Sequence, residues 1–179
     1  YPKRVAYQIS DTDIEDYIEV AKQINEKDSV KLVCIQHEFG IFGGEHGDNI
    51  LAFLEILDKP VIITFHSVLP NPDQKLRKVV RAIADKVKAI VVMTKTGIEI
   101  LRRDYEINTD IYIIPHGIPT VTFDSQEKEK KEIGMEGKIV LSSFGMVGPG
   151  KGYENVIDSL PGIIERFPNL IYLILSKFN

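Results

Sequence analysis

Three observations predict an α/β protein built on a parallel sheet with helices on both faces. Short apolar, β-branched runs recur along the chain, stretches with helical spacing lie between them, and the two alternate from one end to the other. Parallel neighbours need crossover connections, and helices supply them.

The expected strands are Val5–Ile9, Leu32–Gln36, Val61–Phe65, Ile90–Met93 and Ile111–Ile114, each too short for a typical helix and bounded by polar or turn residues. Between them, Ile14, Tyr17, Ile18, Ala21 and Ile24 recur with helical spacing, and Leu76, Val79, Val80 and Ile83 do so again. Asn71 is placed to cap the second helix, with Pro72 at the first helical position, where a missing N–H costs nothing. After the turn-forming Pro115–Pro119, the stretch Asp124–Glu132 contains no apolar residue and reads as a boundary, as a short charged surface helix, or as both. The expected division is therefore a first domain over 1–120, a charged linker over 121–137 and the start of a second domain over 138–179. In that last part the alternation resumes with Ile139–Phe144, a helical pattern from Val156 to Phe167 that Pro161 should kink or split, and Leu170–Leu175. A single strand-helix-strand unit cannot bury both faces of a sheet, so the second domain is expected to be incomplete.

Composition narrows the class. With 179 residues, 44% hydrophobic, 27% charged and a net charge of -4, the chain is expected to fold, and its mild charge gives no general pull toward nucleic acid or anionic membrane. The one cysteine, Cys34, lies in an apolar run and is expected in the core. No apolar run approaches the roughly 18 residues of a membrane-spanning helix and no signal-peptide pattern opens the chain, so the cytoplasm is the expected compartment. Tyr1 in place of methionine suggests a start that is not the natural one.

Two segments carry recognisable chemistry. In Ser142–Tyr153 (SSFGMVGPGKGY) an apolar strand runs into a glycine-rich loop and then a helix. Glycines let a backbone approach an anion, a helix N-terminus offers unpaired N–H groups, and Lys151 adds a full positive charge. Gly145, Gly150 and Lys151 also satisfy most of the nucleotide-triphosphatase loop pattern. The match fails at Gly152, where a magnesium-binding serine or threonine belongs, and at Pro149, which removes an N–H.

The second segment is Gln36–His46 (QHEFGIFGGEH), again at a strand end, where open α/β sheets place their ligands. Gly43 and Gly44 permit a sharp turn or a close approach by substrate. His37, Glu38, Glu45 and His46 could hydrogen-bond sugar hydroxyls, or could be solvated residues of a glycine turn. A metalloprotease reading fails because Ile41 stands where the second helical histidine would be. His66 ends the next strand at the same edge and is a ligand-binding candidate. His116 and Gly117 sit in a turn before the boundary, where hinge geometry with an unusual backbone angle at Gly117 and ligand contact are both open. No metal-ligand cluster can be assembled from spacing.

Taken in order, Gln36–Gly44, Phe65–Pro70, Ile113–Ile118 and Phe144–Gly152 resemble family 4 of the retaining GT-B glycosyltransferases, closest to a bacterial, mannosyltransferase-like branch. The resemblance implies two Rossmann-like domains, the first binding a glycan or lipid-linked acceptor and the second a nucleoside-diphosphate sugar as co-substrate. It implies no required metal or other cofactor and no nucleic-acid partner, and it allows peripheral membrane contact by the full-length protein. Lys151 would hold the donor diphosphate, with Gly145 and Gly150 letting the phosphates approach. His66 would be the catalytic residue near the transferred sugar. His37, Glu38, Gly43 and Gly44 would lie on the acceptor side. Many relatives carry arginine after the first loop glycine, whereas Met146 stands here, so one of two cationic contacts is absent. The family's first strand and glycine loop would precede Tyr1, and its pair of glutamates would follow Asn179, so the isolated chain is expected to show little or no transferase activity. Two other classes stay open: a non-catalytic unit that recognises a sugar or a partner, and a P-loop-like nucleotide-binding protein.

Overall fold

The structure, a computed structural model, describes residues 5–148 and 150–176. The chain separates into two compact units, Tyr1–Ile118 and Pro119–Asn179. The first contains α1 (Ile14–Asn25), β1 (Val33–His37), α2 (Ile50–Ile56), β2 (Val61–Phe65), α3 (Gln74–Lys86), β3 (Ala89–Val92), α4 (Lys95–Asp104) and β4 (Ile111–Ile113). Its four strands are parallel and lie in the order β1-β2-β3-β4, in a register that aligns Ile35 with Ile63, Ile63 with Ile90 and Ile90 with Ile111. This is the expected α/β fold, a parallel sheet flanked by helices.

The strand order decides where the helices go. Each crossover advances the sheet by one strand in the same direction, and right-handed crossovers then put every helix on the same side. Ile35, Ile63, Phe65, Ile90 and Val92 project to that side and form one core with Tyr17, Leu54, Val80, Ile83 and Leu101 of the helices. The described helices of this unit pack against that one face. The alternate strand residues Cys34, Gln36, Ile62, Thr64 and Val91 line an open concavity of about 420 Å³ instead. Cys34 is accordingly exposed, not in the core, because strand alternation sends it to the uncovered face.

Two further expectations change. Val5–Ile9 forms no strand. The Tyr7 ring lies under the Lys27 ammonium at 4.7 Å, and among the described residues β1 takes its ladder hydrogen bonds from β2 alone. Helix α3 is capped by Asp73, whose carboxylate accepts from the Leu76 N–H at 2.8 Å, and not by Asn71. Asn71 is instead a left-handed residue (φ 51°), and its N–H donates to Asp104 Oδ2 at 3.1 Å.

The second unit holds α5 (Gln126–Glu132), β5 (Ile139–Phe144), α6 (Tyr153–Ile164) and β6 (Leu170–Leu175). The charged stretch is thus a helix, capped by Ser125, and it clusters with this unit. β5 and β6 pair in parallel from Ile139 opposite Leu170 to Phe144 opposite Leu175. None of this unit's described residues is buried. Of the kink or split expected at Pro161, the split does not occur, and α6 runs through it as one helix. The proline ring loses only its own N–H one turn before the helix ends, and the Glu165 N–H closes that turn onto the Pro161 carbonyl.

Candidate functional site

In the first unit the polar side chains gather at the C-terminal ends of the strands. The ladder continues one residue past β2 and one past β4, through His66 N–H to the His37 carbonyl at 3.0 Å and Ile114 N–H to the Val92 carbonyl at 2.9 Å. Alternation then sends His66 to the open face, because Phe65 before it is committed to the core. There the His66 Nε2 lies 2.7 Å from Gln36 Oε1, and the His116 ring stacks on the imidazole with centroids 5.4 Å apart and planes at 23°. A concavity of about 340 Å³ opens beside the pair, with Phe65, Val68, Val92 and Thr94 in its wall.

His66 and His116 are thus brought together, as candidates spaced far apart in sequence. Gln36 was missed as a site residue, because the expected placement of Cys34 in the core put Gln36, two residues on, on the covered face as well. Gly117 does not carry the unusual backbone angle expected of it. Its φ lies outside the left-handed region, and a Cβ there would meet open space.

The segment 37–47 behaves differently from its sequence reading. His37 is completely buried, inside a cage of Phe39, Phe42 and Phe65 with ring centroids at 5.1, 5.3 and 4.9 Å. Among the described residues neither ring nitrogen has a hydrogen-bond partner, and burial holds the imidazole down at about 4, against an upward pull from Glu38. An imidazole in this place cannot reach an acceptor hydroxyl, which corrects its assignment to the acceptor side. The reason is again alternation, since His37 follows Ile35 by two residues and shares its core-facing side.

Glu38 Oε2 accepts from the Ser67 hydroxyl at 2.7 Å. Glu45 pairs with Lys75 at 2.7 Å, and His46 Nε2 lies 3.7 Å from Asp73. These contacts fasten the glycine-rich segment to the β2–α3 connection. Gly43 (φ 66°) and Gly44 (φ 64°) both occupy the left-handed region. A Cβ on Gly43 would fall onto the backbone carbonyl of Asp11, which also accepts from Asn49 Nδ2 at 2.8 Å, whereas one on Gly44 would meet the Asp48 and Asn49 side chains. Gly43→Ala is therefore expected to destabilise the chain by about 3 kcal/mol or more, and Gly44→Ala by about 1–2 kcal/mol, because only the second clash can be relieved by a side-chain rotation. Urea denaturation of the two variants beside the parent checks the ordering.

A second brace lies behind His66. The Tyr105 hydroxyl donates to the Leu69 carbonyl at 2.8 Å, and Asp104 accepts from Asn71 N–H while its carboxylate takes the Arg103 guanidinium at 2.6 Å. Arg103, then the Asn71 N–H, hold the Asp104 carboxyl at about 2, so it is ionised throughout the neutral range. Burial pushes the Tyr105 phenol up to about 12. Nothing in the sequence marks this brace, because Asn71 and Asp104 lie 33 residues apart and Leu69 and Tyr105 lie 36 apart.

The second unit contributes its own candidate. Gly145, Gly150 and Gly152 have φ of 133°, 79° and 74°. Gly145 is held by its N–H to the Leu175 carbonyl at 3.0 Å, and its carbonyl accepts from the Tyr153 hydroxyl at 3.1 Å. Lys151 is exposed and lines a concavity of about 220 Å³ with Ser143, Gly145, Met146, Gly152 and Tyr153. Gly152 is the N-cap of α6 and offers no side-chain cap, so the first N–H groups of that helix are free of one. Cation, glycines and helix start together favour an anion. Gly150 does not line the concavity, and Pro149 lies outside the described residues.

A parallel α/β unit with its polar groups at the C-terminal strand ends is the kind of protein that binds ligands at that edge. The model of Glycosyltransferase Family 4 matches residues 31–121, just over half of the chain, and the chain belongs to that family. Glycosyltransferase activity in general, with a sugar donor and an acceptor as substrates, follows from this membership. The match runs from before β1 to past His116 and stops short of Lys151. No curated protein matches the chain. Among the described residues, no helix is long and apolar enough to cross a membrane, and no three His, Cys, Asp or Glu side chains gather as a metal-ligand set.

Proposed function

We propose that the protein transfers a hexose from a nucleoside-diphosphate sugar to a glycan or lipid-linked acceptor, with retention at the anomeric carbon, in the cytoplasm. The observation that carries this reading is the pair His66 and His116 on the open concavity at the strand ends, inside the part of the chain that matches the family. In the proposed reaction the bond from the anomeric carbon to the diphosphate breaks, the acceptor hydroxyl oxygen bonds to the same face of the sugar, and the hydroxyl proton passes to the departing diphosphate. His66 contacts the transferred sugar. Lys151 and the free N–H groups at the start of α6 hold the diphosphate, and their positive potential offsets the charge that grows on the leaving group without any need for a metal.

The acceptor side is reassigned. With His37 in the core and Glu38 tied to Ser67, the groups left to meet an acceptor are those lining the strand-end concavity, His116 and Thr94 among them. A mannose-type donor is the one that the resemblance favours. The test is a screen of the full-length protein against a panel of sugar nucleotides, reading release of the nucleoside diphosphate with and without candidate acceptors. Turnover or donor hydrolysis with at least one of them is the expected result, and neither with any donor would end the reading.

A further inference from the structure

Among the described residues, the one that holds the His66 ring at its edge is Gln36. The two side chains come from neighbouring parallel strands, project from the same open face, and meet at 2.7 Å between Gln36 Oε1 and His66 Nε2. The other end of the Gln36 amide is turned to Thr64, its Nε2 lying 3.5 Å from Thr64 Oγ1. Thr64 sits directly across the ladder from Gln36, so a row of three polar groups crosses an otherwise apolar face. On its flat side the imidazole is covered by His116.

We infer that Gln36 is a positioning residue for His66: its amide oxygen accepts the Nε2–H, fixing the neutral imidazole in the Nε2-protonated tautomer and leaving Nδ1 as the lone-pair nitrogen available to a substrate hydroxyl. The hydrogen bond of one ring nitrogen decides which nitrogen carries the proton. An amide oxygen can only accept, so Nε2 must donate. The ring is then fixed in orientation by this bond and by the stacked His116, and a group held in place loses less freedom when it meets its substrate. The inference deepens the proposed role of His66, but the tautomer can be read without any transferase activity.

The test is two-bond 1H–15N correlation spectroscopy of the 179-residue chain labelled with 15N-histidine, at a pH where His66 is neutral, with His66→Gln used to assign its signals. The Nε2-protonated pattern is expected for the parent chain. It is expected to persist in Gln36→Glu, whose carboxylate is also an acceptor, and to give way to exchange-averaged shifts in Gln36→Leu, which offers no partner. An Nδ1-protonated or averaged pattern in the parent overturns the inference, and so does a Gln36→Leu spectrum identical to the parent's. Should Gln36→Leu fail to fold, the parent and Gln36→Glu spectra still decide. In the full-length protein, Gln36→Leu is expected to lower kcat about tenfold with little change in KM, and Gln36→Glu to retain more of the activity. If no donor is turned over at all, the proposed reaction fails while the tautomer result stands.

Discussion

Lys151→Ala in the full-length protein is expected to reduce kcat/KM by about 100- to 1,000-fold, with most of the loss in kcat. The proposed reaction builds negative charge on the diphosphate as the sugar departs, and a preorganised cation is worth most where charge develops. The loop contains no second cation to take over, since Met146 stands after Gly145, and Met146 lines the same concavity as Lys151. What remains without Lys151 is the backbone contribution of Gly145 and of the uncapped first turn of α6. Lys151→Arg is expected to recover part of the activity, because charge is restored at a different reach. Steady-state kinetics with the donor identified by the screen checks both. Equal loss in every variant of the loop, Lys151→Arg included, would point to a folding role for the segment.

The second large effect is on stability and pH. His37 titrates at about 4 in the fold against an ordinary value of 6.5, because its charged form would sit unsolvated among three phenyl rings. The unfolded chain therefore binds a proton that the folded chain refuses. Stability must fall as pH falls from about 6.5 to about 4, and the contribution levels off below that. At pH 4.5 the loss from this residue alone is about 2–3 kcal/mol, a large share of the stability of an ordinary domain. Glu38, adjacent in sequence and tied to Ser67, moderates the effect and does not reverse it.

Replacement of His37 by leucine removes the titrating group and the two unpartnered nitrogens at once. His37→Leu is expected to match or exceed the parent by about 1 kcal/mol at pH 7, since buried nitrogens without partners are costly. Its advantage over the parent is expected to grow by about 2–3 kcal/mol at pH 4.5. Urea denaturation of both chains at the two pH values, followed by circular dichroism, measures this difference. An equal loss of stability in parent and variant would show that His37 is not the group responsible.

The class of fold was legible from alternation alone, because β-branched runs and helical stripes are local patterns. Val61–Phe65, Ile139–Phe144 and Leu170–Leu175 are strands at the limits read from sequence. Strand order was not legible. The monotonic order of the first sheet, which leaves one face uncovered, depends on which strands pair, and no single run encodes that. The same gap explains Cys34 and His37: each lies in or beside an apolar run, and their opposite fates follow from which face of β1 the helices cover. Local signals also competed. Asn71 and Asp73 are both good caps, and the contact of Asn71 N–H with Asp104, 33 residues away, decided between them.

The candidate site divides in the same way. His66 was found because a strand end in a parallel sheet is a ligand edge, and its neighbour His116 because a turn follows the last strand. Their stacking, and the hydrogen bond between His66 and the Gln36 amide oxygen, are long-range facts. The glycine loop at Gly145 was visible because glycines in left-handed conformations, a lysine and a helix start are consecutive in sequence. Gly43 was singled out for a sharp turn or a close approach by substrate, and the group that lies against it in the structure is the Asp11 backbone.

The most direct test of the proposed reaction is the anomeric proton of the product, read by one-dimensional 1H nuclear magnetic resonance while the full-length protein acts on an α-linked sugar nucleotide and a glycan acceptor. The first product signal is expected to be that of the α-glycoside. A β-glycoside, or no glycoside with any donor and acceptor in the panel, would contradict it.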